Sequence, residues 1–292
     1  MMNRRLFLAA LVTLLTFCAA ARSDQKVLYE KTSPYNTIVV TEDQNGLRIL
    51  WFEKQGARQS VVKIGDVDHL ELSYAKAMPI GLAFVDAPTR ILVIGLGGGT
   101  IPSFLHAHYP RATIDVVDID PDVVDVAKRF FGFREDAKLR AHVADGRRFI
   151  EECDEPYDLI FLDAFGSEEI PRHLSTREFL QAVRRALTRD GVAVGNIWSR
   201  SSNPLYDSMV RTYQDVFGEL YIFHVRGAGN KILVGVPRKL QLDEDELARR
   251  AKRISQEREF PHELDAVVRH GYERLTEMNA RGDVLRDAQL RE

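Results

Sequence analysis

Three aspartates each close a short apolar run: Asp118 in Val116-Val-Asp-Ile-Asp120, Asp145 in Ala144-Asp-Gly-Arg147, and Asp163 in Tyr157-Asp-Leu-Ile-Phe-Leu-Asp163. At the carboxyl ends of parallel strands, carboxylates so placed face the crevice where open α/β sheets bind ligands. Asp118 offers two oxygens to the two hydroxyls of a ribose, and Ile119 beside it belongs to the same wall. Asp145 is suited to accept from an exocyclic adenine amine, while Gly146 lets a ring lie close. Asp163 follows four apolar residues, so its base is buried, which raises a carboxyl pKa and suits it to general-base work. Capping of the following helix or turn is the competing role for each. Asp120 and Pro121, however, already supply the cap and first position of the helix after Asp118.

Ahead of these carboxylates, Ile91-Leu-Val-Ile94 runs into Gly95-Leu-Gly97-Gly98-Gly99-Thr100, and helix-compatible spacing resumes at Ile101. A strand entering a helix through Gly95, Gly97 and Gly98 brings backbone N–H groups to a ligand with no Cβ in the way. A nucleotide or nucleoside site is one reading of this turn, and a tight turn without a ligand is the other.

The elements that must position these groups follow from periodicity. β-Branched and aromatic runs at Thr37–Thr41, Leu47–Phe52 and Gln59–Lys63, separated by Asp43–Gly46 and Lys54–Gly56, predict a small antiparallel β-domain over residues 27–66. Leu72, Ala75, Met78 and Leu82 share one face of a helix expected over Leu70–Phe84. Seven strands are then expected: Arg90–Ile94, Ile114–Asp118, Leu139–Ala144, Leu159–Asp163, Val192–Ile197, Leu220–Val225 and Ile232–Val236. Helical stretches between the first five imply a parallel sheet with crossover helices, an α/β domain over residues 67–238. Only Arg226–Asn230 joins the last two, too short for a crossover, so they form an antiparallel hairpin. That hairpin, and Thr100 where the dinucleotide fingerprint wants its third glycine, disfavour a nicotinamide enzyme. Both favour a seven-stranded Rossmann-like nucleoside-sulfonium transferase fold.

The chain has 292 residues, 45% of them hydrophobic, with 40 basic and 43 acidic side chains and a net charge of -3, so nucleic acid is not an expected partner. Residues 1–23 read as a signal peptide or anchor. Arg4 and Arg5 precede the apolar run Leu6–Phe17, too short for a normal membrane span, and small residues follow. An exported or periplasmic protein with no stable membrane span is expected. Outside that segment only Cys153 remains, so no disulfide framework exists. Residues 239–292 are highly charged, with apolar residues at Leu247, Ala251, Ile254, Leu264, Val267, Val268 and Leu275. They predict two amphipathic helices packed on the domain or on a partner subunit, a homodimer being left open.

In order along the chain, Tyr35-Asn-Thr-Ile-Val-Val40, Gln59-Ser60, Tyr74, the Gly95–Thr100 turn, Asp118-Ile-Asp120, Asp145-Gly146 and Tyr157–Asp163 resemble the polyamine aminopropyltransferases, the spermidine and spermine synthases. The resemblance runs from about Leu28 to Pro237. It implies aminopropyl transfer from decarboxylated S-adenosylmethionine to a small-molecule amine, with release of methylthioadenosine and without a metal. It assigns Asp163 as base, Gln59 as a cofactor contact from the N-terminal side, Asp118 to the ribose and Asp145 to the adenine. Departures accompany the likeness. Gly98 and Gly166 stand where the family usually carries aspartate, and Ala75-Lys76 replaces a His-Glu pair. Each change removes negative charge from a polycation site, and Lys76 is expected to add positive charge; Glu168 and Glu169 are the available compensation. The alternatives are a methyltransferase using intact S-adenosylmethionine and a silent nucleoside-binding homologue.

Overall fold

A computed structural model of the protein describes residues 25–53, 56–164 and 170–291. The expected export segment over residues 1–23 lies outside the described residues, as do Gly166, Glu168 and Glu169.

The N-terminal strands β1 (Lys26–Thr32), β2 (Thr37–Glu42), β3 (Leu47–Trp51) and β4 (Arg58–Lys63) form an antiparallel sheet in sequential order. Asp43 closes the β2–β3 turn, its carboxylate accepting the N–H groups of Asn45 and Leu47 at 2.9 and 2.8 Å. Ile38, Val40 and Leu50 are fully buried, in one continuous core with Phe104 and Phe131 of the larger unit. The small sheet is therefore a wall of the same structure. Helix α1 (Ser73–Ala77) is shorter than its apolar periodicity suggests. The chain tightens into a 3₁₀ stretch over Met78–Phe84 with Pro79 near its start, and all seven residues are buried.

The remaining elements are β5 (Arg90–Ile94), α2 (Thr100–His108), β6 (Thr113–Asp118), α3 (Pro121–Phe130), β7 (Leu139–Val143), α4 (Gly146–Glu151), β8 (Tyr157–Leu162), α5 (Arg177–Arg185), β9 (Leu187–Trp198), α6 (Tyr206–Val216), β10 (Glu219–His224), β11 (Asn230–Val236), α7 (Glu244–Glu257), α8 (Asp265–Gly271) and β12 (Tyr272–Leu275). The large sheet has the order β12-β10-β11-β9-β8-β5-β6-β7. Strands β7, β6, β5, β8 and β9 are parallel, whereas β11 runs antiparallel to both β9 and β10. From β5 the chain winds outward through β6 and β7, then returns to the other side of β5 as β8. The crevice at this reversal opens beyond the carboxyl ends of β5, β6 and β8.

All seven expected strands of the large sheet are present, and the tail adds an eighth. Leu264, Val267, Val268 and Leu275 were expected on one helix, but α8 stops at Gly271, whose missing Cβ would sit 2.6 Å from His224 Cβ. Beyond that contact Tyr272–Leu275 pairs antiparallel with β10, and the Tyr272 hydroxyl donates to the Leu242 carbonyl at 2.6 Å. Of the two packing partners considered for the tail, the domain itself is the one seen: Leu247, Ala251, Leu264 and Val268 share a core with Phe84 and Phe223. Among the described residues no helix is long and apolar enough to cross a membrane. Burial raises the Cys153 thiol pKa, so little of it is the nucleophilic thiolate.

Candidate active site

Ile94 ends β5 and the chain turns at once, because Gly95 takes φ +101°, open to glycine and strained for other residues. A Cβ there would also run into the Asp163 carbonyl oxygen, so the glycine turn and the end of β8 touch through backbone. Asp118 straps the same turn, its Oδ2 accepting from Leu96 N–H at 2.9 Å and its Oδ1 from Asp120 N–H at 3.0 Å. Burial pushes its pKa up to about 6, against the lowering effect of these N–H donors. Each oxygen keeps a lone pair for a ligand hydroxyl. The helix-capping alternative for Asp118 is not used: Asp120 caps α3 through Asp122 N–H at 2.9 Å, and Pro121 opens that helix.

Asp145 takes the capping role and also borders the cavity. Its Oδ1 caps α4 by accepting from Arg148 N–H at 2.9 Å, while its Oδ2 faces His173 Nε2 at 3.0 Å on the cavity wall. Gly146 packs so closely on β5 that a Cβ would lie 2.5 Å from Ile94 Cγ2. Ile119 is 38% exposed, an apolar side chain left uncovered between the two carboxylates. The N-terminal sheet supplies the roof. Ser33 donates to Asp120 and accepts from Tyr35 and Asn36 N–H, which holds the Tyr35-Asn36 turn over Asp118.

These residues enclose a cavity of about 360 Å³ lined by Gln59, Gly95, Gly97, Asp118, Ile119, Asp145, Gly146 and Asp163, together with Tyr35, Asn36, Tyr74, Pro171 and His173. Every expected site residue but one is brought together there. Gly98 is the exception. Its N–H donates to Ser60 Oγ at 2.8 Å, a Cβ would lie 2.9 Å from both Phe131 and Ser60, and the residue borders a separate hollow beside Lys63 and His69.

Asp163 stands just past β8, with its Oδ1 accepting from the Asn196 amide at 2.9 Å; Asn196 in turn accepts from Asn230 at 2.9 Å. Burial pushes the Asp163 pKa up to about 7, and the Asn196 donor, which favours the ionised form, pulls against it. Tyr74 lies close by. Burial first, and then the Asp163 charge, hold its phenol well above the ordinary range, and its hydroxyl donates to the Gln59 carbonyl at 3.0 Å. A second cavity of about 490 Å³ adjoins here. It shares Gln59 and Tyr74 with the first and is lined further by Arg58, Glu71, Trp198, Ser202, Asn196 and Asn230. A carboxylate with a pKa near neutrality thus lines the first cavity, and its hydrogen-bond partner Asn196 lines the second.

Asn36, His173, Asn196 and Asn230 were not anticipated as site residues. A polar Asn196 inside the apolar run Val192–Ile197 was the available signal, since such a residue needs a partner when buried. Ala75 is buried and Lys76 is exposed, and neither lines either cavity, so the positive charge expected from Lys76 does not enter the site. Among the described residues no three His, Cys, Asp or Glu side chains converge as a metal site.

Residues 73–228 match the spermine/spermidine synthase domain. The chain is 38% identical over 237 residues to the polyamine aminopropyltransferase of Vibrio vulnificus, covering 79% of this chain and 78% of that one. A probable spermidine synthase from Corynebacterium glutamicum superposes with a TM-score of 0.68 at 20% identity, over 89% of this chain and 97% of that chain, a likeness of fold. Human methyltransferase-like protein 13, in complex with SAH, superposes with a TM-score of 0.59 at 32% identity, over 65% of this chain and 94% of that chain. The chain spans about a quarter of the length of the eEF1A lysine and N-terminal methyltransferases that it also matches.

Proposed function

This chain belongs to the spermine/spermidine synthase family, and from that membership and the site geometry we propose that it transfers an aminopropyl group from decarboxylated S-adenosylmethionine to an amine. The observation that carries the reading is the placement of Asp163. One cavity, with Asp118, Ile119 and Asp145, fits a nucleoside and is also lined by this carboxylate, whose partner Asn196 lines an adjoining second cavity open to another substrate.

In this reading the ribose hydroxyls donate to Asp118, the adenine amine to Asp145, and Ile119 and Gly146 flank the ring. Gln59 and Tyr74 line the boundary between the two substrates. The acceptor arrives as an ammonium and passes a proton to the Asp163 carboxylate. Its freed lone pair then attacks the methylene next to the sulfonium in line. As the new C–N bond forms, the C–S bond breaks with both electrons going to sulfur, leaving methylthioadenosine and a secondary ammonium. A carboxyl titrating near 7 is matched to this proton transfer at neutral pH. The sulfonium is already a good leaving group, so the protein contributes position and an anionic surface.

A methyltransferase using intact S-adenosylmethionine is the second reading, favoured by the likeness to human methyltransferase-like protein 13. One assay separates the two. The purified protein is given decarboxylated or intact co-substrate with an amine, and both by-products are measured. Methylthioadenosine that disappears in Asp163→Asn is the expected result, whereas S-adenosylhomocysteine would establish the second reading. Export remains part of the proposal on the strength of Arg4-Arg5 and the apolar run after them; an isolated protein still beginning at Met1 would contradict cleavage.

A further inference from the structure

We propose that Asn230 is a positioning residue for Asp163: through Asn196, it fixes which end of an amide faces the catalytic carboxylate. The inference rests on the reading of Asp163 as the proton acceptor in aminopropyl transfer. The three side chains come from neighbouring strands of the large sheet. Asp163 follows β8, Asn196 lies in β9 and Asn230 opens β11. Strand β11 runs antiparallel to β9, with Ile232 opposite Asn196 and Asn230 opposite Trp198. Asn230 is therefore the diagonal neighbour of Asn196 on the same face of the sheet.

A side-chain amide has a donor end and an acceptor end of nearly the same shape, so its orientation is set by what it bonds. Both asparagines are buried, Asn196 at 2% and Asn230 at 5% exposure. Asn196 donates from Nδ2 to Asp163 Oδ1 at 2.9 Å, and its Oδ1 accepts from Asn230 Nδ2 at 2.9 Å. An ionised carboxylate can only accept, so this orientation alone serves it. Without the Asn230 donor, the buried Asn196 carbonyl would lose its partner. The amide would then gain by turning over and setting its oxygen against Asp163, where a protonated carboxyl can donate to it. That arrangement favours the neutral acid and disables the base. Asn230 removes the choice.

The other groups around Asp163 do not make this selection. Among the described residues, Asn196 is the one hydrogen-bond partner of its carboxylate. The glycine turn meets Asp163 through backbone at Gly95 and brings no charge. Tyr74, on α1, faces it with a phenol kept neutral by burial. Asp118, Asp145 and His173 line the same cavity, and Arg58 and Glu71 the adjoining one, without bonding to it.

The test follows the Asp163 carboxyl itself, by carbon NMR of protein carrying labelled aspartate, its signal identified by loss in Asp163→Asn. That titration needs no turnover. The second readout is the pH dependence of methylthioadenosine release from decarboxylated S-adenosylmethionine and putrescine. Asn230→Ala should move the titration midpoint upward by up to about one pH unit, the equivalent of one neutral hydrogen bond. Asn230→Asp keeps the shape, but its carboxylate only accepts, so it should draw the Asn196 donor away and move the midpoint further. The acid limb of kcat/KM should follow in both variants. Because Asn230 acts through Asn196, adding Asn230→Ala to Asn196→Ala should move the midpoint no further than Asn196→Ala alone. A midpoint unmoved in both Asn230 variants, or a further shift in the double variant, would overturn the proposal and leave the aminopropyl-transfer reading standing. A midpoint that moves as expected in a protein releasing no methylthioadenosine would uphold the positioning of this carboxyl and overturn the transfer reading instead.

Discussion

The two cavities that adjoin at Gln59 and Tyr74, beside Asp163, are built from different materials. On the nucleoside side the recognition groups are carboxylates at strand ends, each pinned by backbone N–H donors: Asp118 by Leu96 and Asp120, Asp145 by Arg148. On the acceptor side they are amides, hydroxyls, one guanidinium and the Glu71 carboxylate, drawn from β4, α1 and the turn before it, β9 and β11. Strand-end carboxylates are positioned by the path of the main chain. Side chains from four separate elements can change without disturbing the sheet. The nucleoside end therefore reports the fold, and the acceptor end reports what is particular to this chain.

The sharpest way to break this comparison is at the junction. Asp163→Asn should lower kcat by roughly 10²–10⁴-fold while co-substrate binding is retained, as steady-state rates and equilibrium binding would reveal. The same change should stabilise the free protein at pH 8. The folded pKa is about 7 against an ordinary 3.8, so this carboxyl's contribution to stability is complete below about pH 4 and is lost as pH rises through 7. An amide avoids that loss, worth roughly 4 kcal/mol from the gap between 3.8 and about 7, and thermal unfolding at pH 5 and pH 8 would resolve it. A mutant destabilised at both pH values would refute this account of Asp163.

Asp118→Asn tests the nucleoside side alone. Loss of one charged acceptor should raise the KM for co-substrate by about ten- to a hundredfold, with kcat much less affected. An equal fall in kcat would mean that the glycine turn strapped by Asp118 had moved. Asn196→Ala has a smaller and more diagnostic effect. Its amide favours the ionised carboxylate, so removing it should move the acid limb of the pH–kcat/KM profile upward from about 7. A downward or absent shift would show that Asn196 does not act through Asp163.

The smallest expected effect comes from the tail. The Arg147 guanidinium is held by both Asp287 oxygens, at 2.7 and 2.6 Å, and Asp287 also accepts from Thr176 at 2.7 Å. These bonds fasten α4, which follows Asp145, to the segment carrying Pro171 and His173. Asp287→Ala should raise the co-substrate KM by only a few fold, with acceptor preference unchanged. A change in acceptor preference would mean that the two cavities are not separately supported.

Much of this was legible in residue order, because apolar run length and strand-end acids are consequences of the backbone. The seven strands, the antiparallel β10–β11 pair and the positions of Asp118, Asp145 and Asp163 all follow from patterns a few residues long. Asn196 and Asn230 stand 33 and 67 residues beyond Asp163, and nothing in local spacing announces that two neutral amides will line up behind a carboxylate. Arg58 reads as any exposed strand residue until the cavity beside it is known. Gly98 misled for a different reason: its residue type fitted a ligand turn, whereas its facing is set by where Ser60 and Phe131 pack. The eighth strand escaped because Val268 and Leu275 fit one helical face as well as they fit a helix followed by a strand.

That short strand has a bearing on the protein's behaviour at high concentration. Without Tyr272–Leu275 the sheet would end in β10, whose Leu220–Phe223 is fully apolar apart from one phenol and would present an open row of backbone donors and acceptors. Such an edge is a template for pairing with another chain. Glu273 and Arg274 cap it with four residues of mixed polarity, too short to invite a further strand. A protein ending before Tyr272 would keep its catalytic carboxylates and lose its protection against aggregation.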